Sequence, residues 1–183
     1  VYGAYRKPNV IRKINNGAGI AIPQNGDRLV IKSRVIIPTG GRLACKINLP
    51  DTPASWNAAR GAHILWNVGG DGFHRMNGCT QSTTSPTNHT WRLNEHLENA
   101  VLENKPMDVT VEMYKQGGTF RADYSVVVAG NTYTYTGADL TQFTQAEEDY
   151  STLKNIACVA EQTTDAMDYY IDNVQIYYKN GVS

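Results

Sequence analysis

Residues 28 to 49 read RLVIKSRVIIPTGGRLACKINL, and the fold class turns on how this stretch alternates. From Arg42 to Leu49, Leu43, Cys45, Ile47 and Leu49 alternate with Arg42, Ala44, Lys46 and Asn48. That spacing describes a strand with one apolar face and one polar face. From Arg28 to Ile37, Leu29, Ile31, Val35 and Ile37 share a face, with Lys32 and Arg34 on the opposite one. Pro38-Thr39-Gly40-Gly41 between them reads as the turn of an antiparallel pair, which would put Lys32, Arg34, Arg42 and Lys46 on one basic surface.

The same period of two recurs outward in both directions. It predicts strands at Arg60 to Val68, Gly72 to Met76, Met107 to Gln116, Thr119 to Ala129, Asn131 to Thr136, Leu153 to Ala160 and Asp168 to Tyr178. Gly117-Gly118 and Gly130-Asn131 fall where hairpin turns are required. Helical spacing is scarce: one short helix is expected after Asn94, carrying Leu97, Ala100 and Val101, and another between Asp139 and Asp149. The stretches 51 to 59 and 77 to 89 read as polar loops. No repeat and no linker divides the 183 residues, so the expectation is one all-β domain, residues 1 to 183. Its fold class is an antiparallel β-sandwich with one or two short helices in its loops.

The charge balance narrows the function classes. Seventeen basic residues face seventeen acidic ones, yet residues 1 to 92 hold twelve of the basic and three of the acidic, and no glutamate precedes Glu95. A neutral total argues against a nucleic-acid partner. The asymmetry marks a polyanion site, a head-to-tail assembly surface, or two halves that cover each other in the fold. The longest apolar runs fall far short of a membrane span of roughly 20 residues, which argues against membrane insertion. Three cysteines, Cys45, Cys79 and Cys158, cannot all pair within one chain; one disulfide with a free thiol and three reduced thiols both satisfy the count. The chain starts at Val1 without methionine or a leader, which fits a processed secreted protein and a trimmed chain alike; an extracellular, secreted protein is expected. Asn88-His89-Thr90 is a glycosylation sequon that has meaning in that setting.

The last segment, Asp168-Tyr-Tyr-Ile-Asp-Asn-Val-Gln-Ile-Tyr-Tyr178, resembles the closing strand of concanavalin A-like jelly rolls and related carbohydrate-binding modules. Physically it reads as a strand that sends Ile171, Val174 and Ile176 into the core around a bulge at Asp172-Asn173. The resemblance implies the jelly-roll form of the sandwich. It also implies a structural calcium at Asp172, joined by Asp168 or Asp27, with no cofactor required for function. Retaining glucanases of this fold share a Glu-x-Asp-x-x-Glu strand, and nothing here matches it: Glu112 stands alone on its strand, which disfavours a glycoside hydrolase. The Arg-rich and Gln-Ile-His strands of alginate lyases are also absent as written.

Three functions fit these residues. Glycan binding draws on planar hydrogen-bonding groups and aromatic rings, here Lys32, Arg34, Arg42, Asn48, Asn67, His74 and Arg75, with Trp56 as a stacking platform; the cations favour an acidic polysaccharide. Trp66 reads as core. A polysaccharide lyase working by β-elimination would need a carboxylate clamp, a base and an acid, which Lys46, His63, Tyr133 and Tyr135 could supply. Tyr on a sandwich is also ordinary strand packing. In the third reading, a coat or filament subunit self-assembles through its oppositely charged halves, or through a basic arm from Arg6 to Lys13.

Overall fold

A computed structural model of the chain describes residues 9–23, 26–48, 63–69, 72–79, 88–92, 99–139, 151–161 and 167–181. In chain order the elements are β1 (Asn9–Lys13), a single 3-10 turn at Asn15–Gly17, β2 (Ile20–Ala21), β3 (Arg28–Ile36), β4 (Arg42–Ile47), β5 (His63–Val68), β6 (Phe73–Cys79) and β7 (Asn88–Arg92). A one-turn α1 (Asn99–Leu102) precedes β8 (Met107–Gln116), β9 (Thr119–Val128), β10 (Asn131–Asp139), β11 (Thr152–Leu153), β12 (Asn155–Glu161) and β13 (Tyr170–Lys179).

These strands build the expected antiparallel sandwich. One sheet has six strands in the order β1-β12-β4-β5-β6-β7 and the other five in the order β10-β9-β8-β3-β13; β2 and β11 form a small ribbon. Late strands lie between or beside early ones, the interleaving of a jelly roll. Alternation decides what the layers bury. Leu29, Ile31 and Val35 of β3, Val109, Val111 and Met113 of β8, and Ala122, Tyr124, Val126 and Val128 of β9 meet Leu43, Cys45, Ile47, Trp66, Val68 and Phe73 of the six-stranded sheet in one core. Trp66 stacks on Phe73 with ring centroids 6.2 Å apart. The Tyr124 hydroxyl donates across the layers to the Leu65 carbonyl at 2.9 Å, which satisfies a phenol that is only 2% exposed.

Several sequence expectations change. β3 and β4 are not a hairpin: β3 pairs with β8 and β13, and β4 with β12 and β5. The turn at residues 38 to 41 does close, with Gly41 N–H donating to the Pro38 carbonyl at 2.9 Å and Gly40 at φ 70°, but it carries the chain from one sheet to the other. Part of the supposed basic arm, Asn9 to Lys13, is β1 and pairs with β12. The polar loop 77 to 89 gives its ends to β6 and β7. Most of the second expected helix lies outside the described residues. In β13, Ile171 and Ile176 pack against the core, whereas Val174 is exposed, because the bulge displaces Asn173 and Val174 between Asp172 and Gln175. Asn173, at φ 52°, tolerates the left-handed conformation this requires.

Candidate functional site

Because β3 and β4 lie in different layers, the basic surface expected over residues 32 to 46 divides in two. Lys32 and Arg34 project from the outer face of the five-stranded sheet, while Arg42 and Lys46 belong to the outer face of the six-stranded sheet, beyond the core. The first pair is already engaged. Arg34 makes a bidentate contact with Asp108, Nε to Oδ1 at 2.7 Å and Nη2 to Oδ2 at 2.8 Å, and this hydrogen bonding holds the Asp108 carboxyl below its ordinary value. Lys32 lies over the Tyr177 ring, 5.6 Å from its centroid.

Farther along the same face, Arg28 is 22% exposed and bridges Glu112 and Asp123; it sits 4.1 Å from the centre of the Tyr114 ring. Lys179 reaches Glu112 at 2.9 Å, and Asp123 accepts from the Tyr114 hydroxyl and from the Gly137 N–H. The basic early half and the acidic late half therefore meet within this sheet.

The six-stranded sheet has a different outer face. Register aligns Ala44 of β4 with Asn67 of β5, Asn67 with His74 of β6, and His74 with Arg92 of β7, a single cross-strand row over four neighbouring strands. Strands lie about 4.8 Å apart, so the three polar members span roughly 10 Å. Ala44, Asn67, Ala157 and Val159 are all buried, as is Lys46, which is 1% exposed. Asn67 and His74 were expected as ligand residues; Arg92 was missed, because only the pairing of β6 with β7 places it in the row.

The remaining expected residues disperse. Asn48 does structural work: its Nδ2 donates to the Thr152 carbonyl at 2.9 Å and its Oδ1 accepts the Lys154 N–H at 2.7 Å, fastening the end of β4 to the ribbon. Its φ of 54° fits that bend. Tyr133 and Tyr135 pair with Val126 and Tyr124, so both lie on the inner side of the edge strand β10 and pack against the core. They do not join Lys46, which is on the far face of the other sheet. His63 opens β5 opposite Ile47, and Arg75 is opposite Trp91, one register step from the polar row. The side chains of His63, His74, Arg75 and Arg92 lie outside the described residues, and so does Trp56 altogether.

Of the three candidate calcium ligands, Asp27 and Asp172 lie towards opposite ends of β3. Asp172 is opposite Arg34 and Asp27 precedes Arg28, seven strand positions or about 23 Å away. Asp27 Oδ1 accepts the Gly181 N–H, Asp172 Oδ1 accepts the Asn173 N–H, and Asp168 is exposed. Among the described residues, no group of three His, Cys, Asp or Glu side chains could hold a metal ion.

No family model and no curated protein matches this chain. Among solved structures it is similar to a tetrameric galectin from Cinachyrella sp. (ball sponge), with a TM-score of 0.46 and 12% identity over 93% of this chain and 99% of that one. It is also similar to an endo-1,3-beta-glucanase from Streptomyces sioyaensis, with a TM-score of 0.43 and 12% identity over 93% of this chain and 73% of that one. Both are likenesses of chain path, at an identity that transfers no residue's role.

Proposed function

We propose that this chain is an extracellular carbohydrate-binding protein that holds its ligand along the outer face of the six-stranded sheet. The observation that carries the reading is the register row Asn67, His74 and Arg92. Register brings an asparagine, a histidine and an arginine to paired positions on three neighbouring strands, residue types whose planar hydrogen-bonding groups suit the hydroxyls of sugar rings.

An acidic polysaccharide has less support than a carbohydrate in general. Its cations were to act together, but Lys32 and Arg34 face away from Arg42 and Lys46, and Arg34 is tied to Asp108. Nor does the lyase reading gather support, since its expected bases and acids occupy opposite layers.

A glycan array of neutral and uronic oligosaccharides tests the proposal. Retention should fall at least tenfold in Asn67→Ala and stay unchanged in the Lys32→Ala/Arg34→Ala double variant. A silent array, or loss in the double variant alone, overturns it. Preference for uronic ligands that fades as salt rises would restore the acidic version.

A further inference from the structure

Cys45 of β4 and Cys158 of β12 are direct register partners on adjacent antiparallel strands. Cys45 belongs to the core, and Cys158, half-buried, packs against it. Opposed residues of an antiparallel pair have Cα atoms about 4.5 to 5.5 Å apart, inside the span a disulfide bridges. Both thiols are free, and they hydrogen bond to each other.

We propose that Cys45 and Cys158 are an oxidisable pair that closes into a cross-strand disulfide by exchange with a small-molecule disulfide, glutathione disulfide being the probe. The unequal surroundings of the two sulfurs assign their parts. Cys158 reaches solvent, and the hydrogen bond from Cys45 pulls its thiol below the ordinary range; the same hydrogen bond, with burial, pushes Cys45 up.

The Cys158 thiolate therefore attacks glutathione disulfide, forming a mixed disulfide and releasing one glutathione thiolate. Cys45 then gives up its proton and attacks the Cys158 sulfur, releasing the second. Two cysteine thiols lose two protons and two electrons, and one glutathione disulfide becomes two glutathiones. The product bolts β4, which carries Arg42 and Lys46 on its outer side, to β12, and so joins early chain to late chain across the middle of the sheet. Its formation is independent of whether the outer face binds sugar.

The test treats the folded protein with excess glutathione disulfide, blocks remaining thiols, and reads intact mass and a proteolytic map. Two of the three cysteines should become unreactive, the mass should fall by two hydrogens, and one cross-linked peptide pair should contain Cys45 and Cys158. The Cys79→Ser variant should behave identically, and the Cys45→Ser variant should stop at a glutathione adduct on Cys158. A cross-link through Cys79, three thiols that stay reactive, or an adduct formed first on Cys45 overturns the proposal.

Discussion

The two outer faces of the sandwich use polar residues in opposite ways. On the five-stranded sheet, Arg28, Arg34 and Lys179 meet Asp108, Glu112 and Asp123 across neighbouring strands, so the cations are consumed by the protein's own carboxylates. On the six-stranded sheet, register aligns Asn67, His74 and Arg92 on three neighbouring strands, and Asn67 and the adjoining Ala44 are buried. The contrast teaches that a face rich in charge is not for that reason a binding face. On the five-stranded sheet the charges already have partners on adjacent strands.

The sharpest probe of this contrast is Trp66→Ala. Trp66 precedes Asn67 on β5 and, at 1% exposed, fills the core directly behind the polar row. Removing it should cost about 3–5 kcal/mol in urea unfolding and weaken glycan retention as well, because β5 loses its backing. Full retention by the folded variant would mean that the row does not depend on β5. Smaller is the effect expected for Arg28→Ala on the opposite face: about 1.5 kcal/mol, the low end for hydrogen bonds to charged groups at a site that partly meets solvent, with glycan retention unchanged. If retention fell, the two faces would not be independent.

The weakest effect belongs to Asp108→Asn. The folded carboxyl is held below its ordinary value by Arg34, so the pair stabilises the protein above that value and its contribution is lost as pH falls through the folded pKa. The substitution should remove only that acid-range slope from a stability–pH curve. Both partners are about half exposed, and added salt should erase most of the difference between the two proteins. A difference that survives high salt would show a partnership more protected than its exposure implies.

How much was readable before folding follows from what each pattern encodes. Alternation around Leu43-Cys45-Ile47 states that a strand has two faces, and the strand Met107–Gln116 is found with the boundaries its pattern predicts. Alternation does not name the neighbouring strand. A turn at Pro38 to Gly41 looks the same locally whether it closes a hairpin or crosses between layers, and choosing the hairpin merged two separate basic groups into one surface. Tyr133 and Tyr135 show the same limit. Their spacing guarantees a shared side, but the pairing of Asn131 with Val128 determines that this side is the core. Asn67 and His74 are recognisable as candidates by residue type, whereas Arg92 joins the proposed row only through its register with His74.

The position of β12 between β1 and β4 governs the order in which the molecule can be assembled. Until residues 155 to 161 leave the ribosome, β4 has a vacant edge and β1 has no strand to pair with. The six-stranded sheet is thus completed by insertion rather than by growth from one end. Most of the chain must wait, with an unsatisfied backbone edge, for a segment about 110 residues downstream of β4. Slow folding, and a vulnerable interval of aggregation during synthesis, are the expected consequences of this topology.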